Sequence, residues 1–145
     1  MKFKKLYLSL PITGCEMQSV VEASEAQNVF ERKGYEVINP HDIKRDLTET
    51  LNRIPLEIEI MGADLYSISQ CDAMILLPGW QNSKGCNLEI RFALDYNIPI
   101  YDYQTMKKII FDSHLKNKAR TTVFDSWITQ PVHIEEPVLG MPSNN

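Results

Sequence analysis

The sequence is poor in cysteine, and its cysteines are not spaced for joint use. Cys15, Cys71 and Cys86 are the three in 145 residues, and they form neither a C-x-x-C pair nor a Cys/His zinc pattern. An odd, scattered set argues against a disulfide framework and a zinc site. The G-x-G-x-x-G and G-x-x-x-x-G-K-[ST] motifs are also lacking. We therefore expect no metal, no cofactor and a reducing, cytoplasmic setting.

Positive charge is also scarce. The chain has 15 Lys and Arg against 19 Asp and Glu, a formal net charge of −4, and a pI of about 5.4. This balance argues against a broad surface for duplex nucleic acid, but a small anion needs only a few local donors. The basic stretch 107–120 is most simply a solvated helix face. Since no apolar run approaches the length of a membrane span, we expect no membrane contact.

What the sequence does have is an alternation of strand and helix patterns. Leu6, Leu8 and Leu10 alternate with Tyr7 and Ser9, which is typical of a strand. Further along the chain, segments with apolar residues at helical spacing alternate with short apolar runs typical of strands. The secondary structure of residues 41–53 is ambiguous from their pattern. The strands are predicted near 6–10, 35–38, 73–77 and 98–101, and the helices near 17–33, 56–70 and 85–96.

This alternation predicts an α/β fold with an open parallel sheet, Rossmann-like or flavodoxin-like, of four to five strands with helices on both faces. The length predicts a single domain over residues 1–145, with a core at about 5–120 and a tail at 121–145. Residues 105–118 have a helical pattern, and 121–124 or 132–134 could add an edge strand.

Polar loops follow the first and third predicted strands. With the strand order 2-1-3-4, the ligand crevice of such a sheet lies between these strands, at their carboxyl ends. Hydroxyls and backbone amides there could hold a phosphate, and Trp80 and Asn82 could stack on and hydrogen-bond a base. A buried structural Trp80 is an equally good interpretation. The candidate phosphate or sugar contacts are Ser9, Thr13, Gly14, Ser83 and Gly85.

Two carboxylates lie near this crevice. Glu89 falls in the first turns of a predicted helix, where the helix dipole would keep it ionised as a candidate nucleophile or base. Simple helix stabilisation explains the same position. Asp64, on the preceding helix, could manage a proton on a leaving group, or could be an exposed residue opposite the apolar stripe of Leu65 and Ile68.

Three segments together resemble small, functionally unassigned domains of the nucleoside 2-deoxyribosyltransferase superfamily. They are YLSLPITG at 7–14, GYEVINP at 34–40 and CDAMILLPGWQNSKGCNLEIRFAL at 71–94. The resemblance implies cleavage of an N-glycosidic bond. Glu89, in the G-x-x-x-E segment, would attack C1′ of the sugar. Asp64 would place or protonate the base, and Tyr7 matches the tyrosine of the first strand.

Ser83 decides between branches of the superfamily. The nucleoside transferases carry an aspartate six residues before the nucleophile, whereas a serine there resembles the nucleoside 5′-monophosphate hydrolases, in which it contacts phosphate. The resemblance thus implies hydrolysis of a (deoxy)nucleoside 5′-monophosphate. Transfer of the deoxyribosyl group and non-catalytic nucleotide sensing are the alternatives. The resemblance also implies a small-molecule nucleoside or nucleotide as partner, and a homodimer or larger homo-oligomer. The arginine usual in the hydrolases' first loop is replaced here by Ile12 or Thr13.

Overall fold

The computed structural model describes residues 2–111 and 133–135. Its strands are β1 (Lys5–Ser9), β2 (Glu36–Ile38), β3 (Ala73–Leu76), β4 (Ile100–Asp102), β5 (Lys108–Ile110) and β6 (His133–Glu135). Its α-helices are α1 (Glu16–Arg32), α2 (Pro40–Leu51), α3 (Glu57–Ser69) and α4 (Lys84–Asp95), with a short 3₁₀ helix at Trp80–Asn82. The tail predicted at 121–145 lies almost entirely outside the described residues.

The strands form one sheet in the order β2-β1-β3-β4-β5-β6. The first four are parallel, and β5 and β6 add antiparallel pairs at one edge. The order 2-1-3-4, on which the position of the crevice depended, is therefore the one observed, and the Rossmann-like or flavodoxin-like fold class is confirmed. The sheet has six strands and not four to five, because the antiparallel β5 and β6 extend it. β1 and β3 are parallel neighbours inside the sheet, so the loops that follow them leave the same edge of the sheet.

Each face of the sheet carries its own apolar core, because side chains alternate along a strand. Leu6 and Leu8 of β1 pack with Ala23 and Phe30 of α1 on one face. Tyr7 packs on the other face with residues of α3 and α4 such as Ile68 and Ile90. Helices thus cover both faces of the sheet, as predicted.

Residues 105–111 correct one prediction from the sequence. The helical pattern at 105–118 does not give a helix there: Met106 has a φ of 59°, and Lys108–Ile110 form β5. Ile109 is buried, and β5 pairs with β4 and β6. Tertiary pairing at the sheet edge overrides local helix propensity. The rest of that segment, and the possible strand at 121–124, lie outside the described residues, whereas β6 overlaps the possible strand at 132–134.

The ambiguous segment 41–53 forms most of α2. Asn39 caps it: its Oδ1 accepts a hydrogen bond from the His41 amide at 3.0 Å, and Pro40 occupies the first helical position. This helix matters for the site because it brings Pro40 and Lys44 to the edge of the central crevice.

Among the described residues, the structure contains no helix both long and apolar enough to cross a membrane.

Candidate active site

Two hydroxyl groups on β1 converge on one carboxylate. Tyr7 and Ser9 are two residues apart, so both side chains project from the face of the sheet that α4 covers. The Tyr7 hydroxyl donates a hydrogen bond to Oε2 of Glu89, and the Ser9 hydroxyl donates one to Oε1 at 2.8 Å. Both carboxylate oxygens of Glu89 therefore accept hydrogen bonds from side chains of β1.

The surroundings of Glu89 correct the expectation that the helix dipole keeps it fully ionised. Its exposed fraction is 5%, and burial raises its pKa to about 7, although the hydrogen bonds from Tyr7 and Ser9 act in the opposite direction. Desolvation of the charge thus outweighs the favourable helix position. Near neutral pH, Glu89 is poised between a neutral acid and an ionised base or nucleophile.

Asp64 faces the same cavity as Glu89. The interpretation of Asp64 as an exposed helix residue is wrong, because its exposed fraction is 6% and its Oδ1 has no hydrogen-bond partner. Burial, and secondarily the charge of Glu89, raise its pKa to about 8. Because a buried acceptor without a partner is costly, the orphaned oxygen marks a place where a ligand can bind.

Both carboxyl groups line a cavity of about 550 Å³. It opens between the loop after β1, the first turn of α4 and the neighbouring parts of α2 and α3. Most of its wall is apolar, and Lys44, Lys84, Glu16 and Glu57 add charges of both signs. Its lining residues are Leu10, Ile12, Thr13, Glu16, Pro40, Lys44, Glu57, Ile58, Ile60, Met61, Asp64, Ser83, Lys84, Gly85, Cys86, Leu88 and Glu89. A small organic ligand fits a cavity of this size.

The start of α4 presents polar groups to this cavity. Ser83 is the N-cap, and its Oγ accepts a hydrogen bond from the Cys86 amide at 3.2 Å. Ser83, Lys84 and Gly85 all line the cavity. Since the helix N-terminus carries a partial positive charge, this side of the cavity favours an anion.

The loop after β1 offers less to an anion than the sequence suggests. Gly14, at φ +82°, donates its amide to Oε1 of Glu16 at 3.0 Å. The carboxylate of Glu16 thus occupies the amide predicted to bind phosphate, and its pKa is lowered by backbone hydrogen bonds. Thr13 lines the cavity, whereas Gly14 is not among the lining residues.

The structure does not bring Trp80 and Asn82 to the cavity wall. Trp80 is 3% exposed and makes an edge-to-face contact with Phe111 at 6.4 Å between ring centroids. This favours the structural interpretation of Trp80. Cys86 is buried, and burial raises the pKa of its thiol to about 12, so it is a neutral packing residue at neutral pH.

Sequence reasoning missed Lys44 and Lys84. Lys44 lies in the segment that was ambiguous from sequence, so its pattern contained no signal. Lys84 follows Ser83 directly, and its place at the start of α4 could have been noticed. Residues 2–111 and 133–135 contain no group of three or more His, Cys, Asp or Glu side chains able to hold a metal ion.

Comparisons with known proteins place this geometry in a family. Residues 4–102 match the domain of unknown function DUF4406, and this range includes every candidate site residue. The chain belongs to this family. No curated protein matches the chain significantly.

Among solved structures, this DUF4406 protein is similar to BlsM. The solution structure of BlsM aligns with a TM-score of 0.51 at 17% sequence identity, over 81% of this chain and 71% of that one. At that identity, what the two proteins share is the fold.

Proposed function

We propose that this DUF4406 protein hydrolyses the N-glycosidic bond of a (deoxy)nucleoside 5′-monophosphate through a covalent glycosyl-Glu89 intermediate. The observation that carries the proposal is the pair of buried carboxyl groups, Glu89 and Asp64, on one cavity. The motif resemblance to the nucleoside 2-deoxyribosyltransferase superfamily supports the same chemistry.

The pKa values favour different roles for the two groups. The pKa of Asp64 is raised to about 8 and that of Glu89 to about 7. The hydrogen bonds from Tyr7 and Ser9 stabilise the charged form of Glu89, whereas the negative charge of Glu89 favours the protonated form of Asp64. Asp64 therefore suits the role of the acid, and Glu89 suits that of the nucleophile.

The reaction would proceed in two displacements. Glu89 attacks C1′ and forms an ester bond. At the same time the C1′–N bond breaks, the base keeps the electron pair of that bond, and Asp64 donates a proton to the base. Water then attacks C1′ and gives a proton to Asp64. The ester bond breaks, and its electron pair returns to the carboxylate of Glu89. Asp64 is thus first the general acid and then the general base.

Phosphate binding is supported by two lysines and a helix N-terminus among the residues that line the cavity. Lys44 and Lys84 line it together with the first turn of α4. Point charges and helix N-terminal amides are both common phosphate ligands. These groups stand in for the first-loop arginine that this chain lacks.

The test is chromatographic detection of free base after incubation with nucleosides and 5′-monophosphates, in deoxy, ribo and base-modified forms. Glu89→Gln keeps the shape and removes the charge, so it should abolish product while the protein still unfolds in a cooperative thermal transition. Glu57→Gln is the matched control, because Glu57 lines the same cavity but is exposed. It should retain activity.

Other outcomes separate the alternatives. Base release from nucleosides, with the sugar passing to an added second base, would identify a deoxyribosyltransferase. Nucleotide binding without any base release, in the wild type as in Glu89→Gln, would overturn the enzymatic proposal and identify a sensor.

A further inference from the structure

Ser9 is held rigidly at the end of β1, below the cavity. It pairs with Leu76 in the parallel ladder, and its carbonyl accepts a hydrogen bond from the Leu77 amide at 2.9 Å. Its exposed fraction is 0%, and it is not among the residues that line the cavity. Its backbone position is thus fixed by the sheet and independent of its side chain.

The single hydroxyl proton of Ser9 is already used. It is donated to Oε1 of Glu89 at 2.8 Å. A phosphate dianion can only accept hydrogen bonds, so a phosphate contact would need that same proton. The sequence-based assignment of Ser9 to phosphate therefore competes with the contact that the structure contains.

The hydrogen bond from Ser9 matters to Glu89 because Glu89 is buried. A carboxylate removed from water loses its hydrogen-bond donors, and the remaining donors decide both its orientation and how readily it ionises. Tyr7 supplies one donor and Ser9 the other. The other titratable groups around Glu89 are Asp64 of α3 and Cys86 of α4, and the Cys86 thiol also contacts the Ser9 hydroxyl.

We infer that Ser9 is a positioning residue: its hydroxyl fixes the plane of the Glu89 carboxylate and stabilises its charged form, and it does not bind substrate. This inference rests on the proposed function for its kinetic consequences, but the hydrogen bond itself can be tested without a substrate.

The kinetic test uses Ser9→Ala and Ser9→Cys in the full-length protein. Ser9→Ala removes a hydrogen bond to a charged group, so we expect kcat to fall about 10- to 100-fold, with KM changed less than about twofold. The acidic limb of the pH profile should move to higher pH in Ser9→Ala, and Ser9→Cys, which keeps a weak donor, should lie between Ser9→Ala and the wild type.

Ser19→Ala is the control. Ser19 is also buried, but its hydroxyl pairs with Nε2 of His41 at 2.8 Å, so its removal should leave both kcat and the acidic limb unchanged. A Ser9→Ala variant with raised KM for monophosphates and an unmoved limb would overturn the inference in favour of a phosphate contact. Unchanged kinetics would overturn it as well.

A titration that needs no substrate separates this inference from the proposed function. The carboxyl carbon of Glu89, assigned with Glu89→Gln, is followed by NMR against pH in the wild type, Ser9→Ala and Ser9→Cys. A higher Glu89 pKa in Ser9→Ala supports the role of Ser9 even where no base release is found. An equal pKa in folded protein, checked by the thermal transition, refutes it. Should Ser9→Ala not fold, Ser9→Cys carries the same comparison.

Discussion

At the scale of single residues, the site consists of two hydroxyl groups that donate hydrogen bonds and two carboxyl groups that can ionise. Tyr7 and Ser9 each donate to Glu89, while burial raises the pKa of Tyr7 well above its ordinary value, with the charges of Glu89 and Asp64 adding to the effect. The phenol therefore stays protonated and remains a donor throughout the accessible pH range. In the proposed mechanism, the groups that change ionisation are therefore the two carboxyl groups.

The first prediction is a narrow pH optimum for base release. Activity should fall below a pH of about 7, where Glu89 takes up a proton, and above about 8, where Asp64 loses its proton. Asp64→Asn cannot donate, so we expect kcat to drop about 10²- to 10⁴-fold and the alkaline limb to disappear. The measurement is kcat/KM against pH for both proteins. An alkaline limb that persists in Asp64→Asn would assign the acid to another group.

At the scale of elements, the start of α4 is both a structural cap and a wall of the cavity. Ser83 satisfies the Cys86 amide, and Asn87 of the same helix donates to the carbonyls of Gln81 and Ser83 at 3.1 and 2.8 Å. The loop from the 3₁₀ helix into α4 is therefore tied to the helix that carries Glu89.

The second prediction separates capping from ligand binding at Ser83. Ser83→Ala loses the cap and should destabilise the protein by about 1 kcal/mol. Ser83→Asp keeps a good cap but adds negative charge beside the cavity, so its stability should change little while KM for monophosphates rises about tenfold or more. Urea unfolding and parallel KM measurements with monophosphates and nucleosides test this. A KM rise of equal size for nucleosides would argue against a phosphate at this position.

The third prediction concerns the contact between the two loops that frame the crevice. Gly79 has a φ of +87°, and a Cβ there would lie 3.2 Å from Cγ of Pro11 in the opposite loop. Gly79→Ala should therefore cost about 1 to 3 kcal/mol. Gly62→Ala, in α3 and with nothing within 4 Å of an added Cβ, should be neutral or stabilise by up to about 1 kcal/mol. Urea unfolding of both variants measures the difference, and equal values would contradict it.

At the scale of the whole molecule, burial of the two carboxyl groups couples the site to folding. The folded pKa of Glu89 is about 7, raised from an ordinary value of 4.5, so the folded state holds the proton more tightly than the unfolded chain. The contribution of Glu89 to stability is then fully present below a pH of about 4.5 and is lost as the pH rises towards 7. Asp64, raised to about 8, extends the loss to higher pH.

The fourth prediction follows from this coupling. The free energy of unfolding should decrease between about pH 5 and pH 8, by on the order of 3 kcal/mol for Glu89 alone. Glu89→Gln should flatten the dependence, because the amide does not ionise. Urea unfolding at a series of pH values measures it. A slope in Glu89→Gln as steep as that of the wild type would place the titrating groups elsewhere.

Features that depend on local sequence patterns could be predicted, whereas features that depend on contacts between distant segments could not. β1, β3 and the crevice between them could be predicted because strand and helix periodicities are local. Glu89 and Asp64 were found by position and resemblance, but their burial and raised pKa values were not, since desolvation depends on contacts between distant segments. β5 was missed for the same reason, and Lys44 reaches the cavity only through the packing of α2.

The position of β1 within the sheet has a consequence for how the protein is made. β1 is synthesised well before one of its two parallel partners, β3, which joins it through the pairing of Leu6 with Ala73. Glu89 follows later still. Until those segments emerge, Tyr7 and Ser9 have no carboxylate to bind, and the alternating leucines of β1 have only part of their cover. During synthesis, β1 thus exposes part of its apolar surface until β3 is available to pair with it.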